Sequence, residues 1–183
     1  MHRQGFTLIE LLVEVLIIGV LVSVALPSYR FAIIKSKTMQ YIPLLKTIRE
    51  AQEIYHMVNG QYAVDLRDLD ISLPGQCVLA YTGSSNKKLG NAFACGTDFF
   101  LDNSISTSGN VSSPLGTVHL EYCPGANGGW AQCRDKRHFL ISMFYQFANS
   151  TDEAEKFRCE SKTSFGKQMC RNLANVVDTI ILN

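Results

Sequence analysis

The chain has 183 residues, of which 46% are apolar, so it is large enough for one folded domain plus an extra element and is not wholly disordered. Lys and Arg number 17 and Asp and Glu 16, so a formal charge of +1 argues against binding nucleic acid through bulk charge, although local DNA binding stays open. The six cysteines follow a long cysteine-free region and predict three disulfides formed outside the cytoplasm, with buried free thiols as the alternative.

A largely apolar segment occupies residues 6–26. As a helix its 21 residues would extend about 31 Å, which matches a bilayer core of about 30 Å. A plain membrane anchor would explain this, and so would a signal peptide cleaved after Ala25, since Ser23 and Ala25 form a small-x-small site. However, Glu10 and Glu14 fall inside the segment, where carboxylates are costly and usually functional. Neither an anchor nor a signal peptide needs them.

The stretch Gly5-Phe-Thr-Leu-Ile-Glu10 closely resembles the N-terminal motif of type IV pilins and type II secretion pseudopilins, and the similarity continues to about Tyr29. In that family a membrane peptidase cuts after the glycine and methylates the new amine. The resemblance therefore implies cleavage between Gly5 and Phe6, N-methylation of Phe6, and an assembly role for Glu10. There Glu10 would neutralise the Phe6 amine of a neighbouring subunit, because a lone buried charge is expensive.

Three further positions of the apolar segment leave alternatives open. Glu14 departs from the family pattern and lies one helical turn from Glu10, where like charges repel, so it is either tolerated or makes a second interhelical contact. Gly19 and Pro27 weaken the helix. The stretch between them could loosen in a filament, as in resembling pili, or simply bend.

The remaining chain predicts a helix packed on a sheet. From Tyr29 to Val58 apolar residues recur at helical spacing, a second bend is expected at Pro43, and Asn59-Gly60 ends the helix. Residues 59–76 form a connection. Apolar runs between turn signals then predict strands and loops. The strands are expected at Cys77–Thr82, Phe93–Leu101, Thr117–Tyr122 and His138–Phe147, and the loops at Ser104–Ser113 and Gly125–Gly129.

These elements predict an α+β fold like that of type IV pilins, with a long N-terminal helix on a disulfide-stabilised antiparallel sheet. The expected segments are a leader at 1–5, a transmembrane and assembly helix at 6–28, its amphipathic continuation at 29–58 and a β-rich head at 59–183. Six cysteines allow 15 pairings, and the sequence does not choose among them. We expect neighbours to pair, the last pair resembling the C-terminal disulfide loop of many pilins: Cys77–Cys95, Cys123–Cys133 and Cys159–Cys170.

No motif for catalysis, phosphate binding or zinc is present, so we expect neither an enzyme nor a cofactor or metal. Asp65, Asp68 and Asp70 lack the glycine and distal glutamate of a calcium loop and are interpreted as a solvated turn. The histidines at 56, 119 and 138 are expected to be ordinary surface or core residues.

The leading hypothesis is a structural pilus subunit that serves adhesion, motility or DNA uptake. The alternatives are a type II secretion pseudopilin and a disulfide-rich protein secreted after signal-peptide cleavage. The resemblance implies as partners other copies of the chain, the prepilin peptidase, an inner-membrane assembly platform and a motor ATPase. It also implies that the subunit resides in the inner membrane before assembly and afterwards in an extracellular filament.

Overall fold

The structure is a computed structural model that describes residues 7–82, 87–105, 116–126, 129–145, 156–174 and 180–182. Gly5 and Phe6, the predicted cleavage and methylation sites, lie outside these residues, as does most of the expected loop Ser104–Ser113. The chain forms two compact units, one comprising residues 1–40 and the other residues 41–183.

A single α-helix, α1, extends from Leu8 to Asn59 and contributes to both units. It continues through the three helix-weakening positions at Gly19, Pro27 and Pro43. The predicted end of the helix is confirmed: Gly60 adopts a φ of 70°, and its N–H donates to the His56 carbonyl at 2.8 Å. Glycine suits this position because the left-handed conformation carries no side-chain clash there.

The second unit contains a seven-stranded sheet in which strand order follows chain order. Strands β1 to β6 pair antiparallel, and β7 lies parallel to β6. The strands are β1 (Cys77–Thr82), β2 (Lys87–Cys95), β3 (Phe99–Ser104), β4 (Thr117–Tyr122), β5 (Phe139–Phe144), β6 (Phe157–Glu160) and β7 (Ile180–Leu182). The predicted α+β class, with a long helix and an antiparallel sheet, is confirmed.

Two short helices accompany the sheet. Helix α2 (Trp130–Lys136) lies between β4 and β5, and helix α3 (Ser164–Ala174) follows β6. The sequence patterns predicted neither of them.

One predicted strand is wrong. The apolar run Phe93–Leu101 contains a hairpin, with β2 ending at Cys95 and β3 starting at Phe99. Gly96, with a φ of 74°, lies in the turn between the two strands. The turn Gly96-Thr97-Asp98 is a local signal, but it is short, and the apolar runs on its two sides together have the length of a single strand.

One face of the sheet packs on the part of α1 that belongs to the second unit. Leu45 and Ile48 are fully buried, and the Tyr41 ring lies 5.2 Å from the Phe99 ring, centroid to centroid. Val58, which we expected on this apolar stripe, is instead 78% exposed. The stripe ends earlier, and a buried polar residue, Gln52, takes its next position.

Gln52 ties the connecting segment to the helix. Its side-chain amide accepts from the Ala63 N–H and donates to the Ala63 carbonyl, both at 2.8 Å. Asn103 of β3 donates to the same carbonyl at 2.8 Å, and the buried Tyr145 hydroxyl donates to Asn103 at 2.6 Å. These bonds satisfy polar groups that burial would otherwise penalise.

Candidate assembly site

The first turn of α1 holds Glu10 against Thr7. The Glu10 carboxylate accepts from both the Thr7 N–H and the Thr7 hydroxyl at 2.7 Å, and the Glu10 N–H donates to the Thr7 hydroxyl oxygen at 3.3 Å. This reciprocal arrangement is a capping box, in which two otherwise unpartnered backbone donors of the helix start are satisfied. The role of Thr7 was not predicted, although the Thr-x-x-Glu spacing is a recognised signal for it.

The helix around Glu10 exposes an apolar surface. Leu8, Leu16 and Val24 are 76%, 67% and 70% exposed, and Glu14 is exposed one turn beyond Glu10. By length and composition α1 could cross a membrane, a test that signal sequences also pass. An apolar surface of this size on an isolated chain indicates burial in a membrane or against other helices.

Gly19 and Pro27 lie within this exposed part of α1, and an added Cβ at Gly19 would meet no atom within 4 Å. The structure shows the single chain, in which both residues are helical. Their predicted flexibility concerns an assembled filament and stays a prediction.

The structure pairs the six cysteines as neighbours: Cys77 with Cys95, Cys123 with Cys133 and Cys159 with Cys170. The first pair joins residues that are directly opposite each other in β1 and β2. The third pair joins β6 to α3. Glu121 lies beside the second pair, but the two sulfur atoms bond each other and so do not offer the thiolates that a metal requires.

Helix α3 is attached to the sheet through one backbone carbonyl. The hydroxyls of Ser161 and Thr163 both donate to the His138 carbonyl, at 2.6 and 3.2 Å. Thr163 also caps the helix by accepting from the Gly166 N–H at 3.0 Å. An added Cβ at Gly166 would lie 2.1 Å from that same carbonyl oxygen, so a glycine is needed for this close approach.

A row of polar residues crosses the sheet on the face opposite α1. Asp102, His119 and Ser142 are direct partners in β3, β4 and β5. His119 Nδ1 lies 2.9 Å from the Ser142 hydroxyl, and its Nε2 lies 2.8 Å from the Thr117 hydroxyl. With both nitrogens engaged by hydroxyls, His119 is not held by Asp102 as the base of a catalytic triad would be. The row is therefore a structural polar network.

Burial dominates the electrostatics of this network. It raises the pKa of Asp102 to about 7, with the nearby Glu121 carboxylate adding to the shift. It lowers the pKa of His119 to about 4, and Arg137 contributes in the same direction. Glu121, 4% exposed, has its pKa raised by burial although Arg137 lies 3.4 Å away and opposes the shift. The buried sheet thus favours neutral Asp102 and neutral His119.

The acidic cluster after α1 is built as a turn. The Asp65 carboxylate accepts from the Arg67 N–H at 2.9 Å and pairs with the Arg67 guanidinium. The hydrogen bonds from Arg67 hold the pKa of Asp65 below its usual value. Asp68 and Asp70 are exposed. This arrangement caps the short 3-10 helix Leu66–Asp68.

The N-terminus matches a known family model. Residues 1–26 match the prokaryotic N-terminal methylation motif. This match contains the predicted cleavage site and Glu10.

Curated relatives are pilus proteins. The chain is 32% identical over 96 residues to the type IV major fimbrial protein FimA of Dichelobacter nodosus, covering 52% of this chain and 53% of that protein. It is 29% identical over 72 residues to the type IV major pilin protein PilE1 of Neisseria gonorrhoeae, covering 39% and 44%. A fimbrial protein of Neisseria meningitidis serogroup B is 33% identical over 60 residues, covering 33% and 35%.

The matched regions therefore span between about a third and a half of these relatives. No solved structure gives a significant match. The motif and the relatives together confirm the resemblance to the type IV pilin family that the N-terminal sequence predicts.

Proposed function

We propose that this chain is the precursor of a type IV pilus subunit, cut after Gly5, methylated on the Phe6 amine and polymerised through α1. One observation carries the proposal: a carboxylate, Glu10, lies in the first turn of a long, exposed apolar helix and inside the matched methylation motif. Burying that helix without a partner for Glu10 would be costly, whereas assembly supplies the partner.

The geometry of the capping box is compatible with this role. A carboxylate has about four lone-pair positions, and Thr7 uses a single oxygen atom of Glu10. The second oxygen is left for the cationic Phe6 amine of a neighbouring subunit. Thr7 thus orients Glu10, and the neighbour neutralises it, so that the contact fixes the axial register of the two helices.

The proposed location and partners follow from this mechanism. Residues 6–28 would anchor the precursor in the inner membrane until the prepilin peptidase, the assembly platform and the motor ATPase move it into an extracellular filament of identical copies. The disulfide-bonded head at 59–183 would lie outside the cytoplasm, where disulfides persist. Residues 29–58 connect the two.

A type II secretion pseudopilin would share the same N-terminal chemistry. The curated relatives are named as pilins and fimbrial proteins, and this favours the pilus. Secretion after cleavage at Ala25 would leave Glu10 without a function.

Substitution of Glu10 tests the proposal. In the native host, Glu10→Ala is expected to reduce sheared surface filaments at least tenfold, as measured by electron microscopy and immunoblotting. Glu10→Gln is the informative companion, because Gln can still close the capping box but carries no charge. It is expected to be defective as well.

Glu14→Val is the matched control, since it removes a carboxylate one turn away, and we expect it to assemble. Total subunit in the membrane fraction is measured in parallel, so that loss of filaments is separated from loss of protein. Normal piliation by Glu10→Ala would refute the assembly role.

A further inference from the structure

A cavity of about 870 Å³ opens between the end of α2 and the start of α3. Residues 134–139 form one side of it and residues from 160 to 167 the other. This volume falls in the range of small-molecule sites. Most residues of the lining carry charged or polar side chains, although carbon atoms contribute a large share of the wall surface.

Cationic side chains outnumber carboxylates around the cavity. Arg134 and Arg137 come from the α2 side and Lys162 and Lys167 from the α3 side, against two carboxylates, Asp135 and Glu160. Glu160 lies 4.0 Å from Arg158, which is outside the cavity lining. A concave surface with an excess of one charge concentrates ions of the opposite sign.

Both lysines are accessible cations, and Arg134 on the α2 side is exposed as well. Within the part of the chain that the structure describes neither lysine forms an ion pair. Arg137, by contrast, forms an ion pair with the buried Glu121 at 3.4 Å, so its charge is partly neutralised. Lys162 and Lys167 are therefore well placed to meet a ligand.

The α3 side of the cavity is pre-organised. Helix α3 begins at this wall, and the partial positive charge of its N-terminus adds to that of the lysines. Ser161 and Thr163 are held by the His138 carbonyl, and the Cys159–Cys170 disulfide ties the helix to β6. A rigid wall lowers the entropic cost of binding.

We propose that this cavity binds a phosphate group carried by a small, saccharide-sized molecule. Two or more lysine and arginine side chains suit a phosphate dianion. The volume exceeds what a lone phosphate fills, and the polar side chains of the lining can hydrogen-bond hydroxyl groups, while its carbon atoms can contact a sugar ring. A compact cavity in a chain of net charge +1 fits a small ligand better than an extended polyanion. This site is separate from the assembly chemistry of Glu10 and goes beyond the proposed filament role.

Thermal unfolding of the full chain in detergent tests the proposal. The probes are 20 mM glucose 6-phosphate, glucose, inorganic phosphate and sodium chloride, the salts at matched ionic strength. Millimolar affinity for glucose 6-phosphate would raise Tm by about 3 °C above the glucose and chloride controls. The double substitution Lys162→Gln with Lys167→Gln is expected to remove most of this shift.

Two further variants serve as controls. Lys37→Gln removes an exposed lysine outside the cavity and should keep the full response. Replacing Lys162 and Lys167 with arginine preserves both charges and should also respond. An unliganded Tm equal to that of the wild type verifies folding of each variant.

Each outcome decides the proposal. An equal shift with inorganic phosphate supports the site and identifies free phosphate as a sufficient ligand. No shift beyond the chloride control overturns the proposal, and so does a shift that survives in the double lysine-to-glutamine variant. A shift with a DNA oligonucleotide, tested as a fifth probe, and none with glucose 6-phosphate would overturn the proposal in favour of a nucleic acid. None of these results bears on filament assembly.

Discussion

Asp102 places a carboxyl group in the buried outer face of the sheet, directly opposite His119 of the neighbouring strand. It is 5% exposed, and its Oδ1 has no hydrogen-bond partner within the described chain. The folded pKa of about 7 lies above the ordinary value of 3.8, so the folded state holds this proton more tightly than the unfolded state does. The contribution of Asp102 to the free energy of unfolding is therefore most favourable at acidic pH. It decreases as pH rises from about 4 to about 7.

Asp102→Asn is expected to stabilise the protein at pH 8 and to change little at pH 4. The amide keeps the shape of the side chain but cannot ionise, so the gain at pH 8 is at most about 4 kcal/mol. Urea unfolding of the full chain in detergent at both pH values measures it. Equal stability of wild type and variant at pH 8 would show that Asp102 ionises in the fold without cost.

His119 has the opposite effect on how stability depends on pH. Its folded pKa of about 4 lies below the ordinary value of 6.5, so stability from this group is lost as pH falls from 6.5 towards 4. His119→Gln is accordingly expected to weaken the loss of stability on acidification below about pH 6.5, while the opposing loss that Asp102 causes as pH rises from about 4 to about 7 stays in place. Glu121 acts in the same direction as Asp102, because burial raises its pKa too. Unfolding midpoints at pH 4.5 and 6.5, compared between variant and wild type, check this expectation.

These residues differ in how clearly the sequence indicates their roles. Glu10 was identified because a carboxylate stands out in an apolar segment. Its hydrogen-bond partner, Thr7, is only three residues away in the chain, so this contact is also local. The row of Asp102, His119 and Ser142 has no such local signal. The row forms because β3, β4 and β5 pair in one particular register. Register is set by the three-dimensional pairing of the strands, which a local pattern does not give.

At the scale of elements, α3 and its attachment give a sharp test. Gly166→Ala places a Cβ 2.1 Å from the His138 carbonyl oxygen, a backbone atom that cannot rotate away. The helix must shift and weaken the bonds from Ser161 and Thr163, so we expect a loss of about 1–3 kcal/mol. Chemical denaturation of the full chain measures it.

Gly75→Ala is the matched control, because an added Cβ there meets no atom within 4 Å. It is expected to change stability by less than about 0.5 kcal/mol. If the two alanine variants are equally stable, the close approach of α3 to the sheet is not as the structure describes it.

The elements themselves divide into predictable and unpredictable ones. Strands β1 and β4 were predicted with their observed bounds, since each is a short apolar run between turn residues. The β2–β3 hairpin was not, because its turn, Gly96-Thr97-Asp98, is short and the two apolar runs beside it together have the length of one strand. Helices α2 and α3 were missed since both are polar over much of their length and are held by disulfides and by the His138 carbonyl.

At the scale of the whole molecule, the N-terminus and the head carry different kinds of information. The first 26 residues match a motif whose chemistry requires particular residues at particular spacings. The head needs only to bury both faces of its sheet and to form disulfides, which many sequences can do. The fold class was therefore predictable from the pattern of elements, whereas the phosphate-binding cavity we propose was not, because its cations come from distant parts of the chain.

Cleavage after Gly5 and assembly through Glu10 are best tested by determining the N-terminal residue of the mature protein. Mass spectrometry of the subunit isolated from its native host should find a chain that starts at N-methylated Phe6. Glu10 would then occupy the fifth position, as the assembly mechanism requires. A chain that starts at Leu26 would instead show signal-peptide cleavage, remove Glu10 from the mature protein and contradict the account.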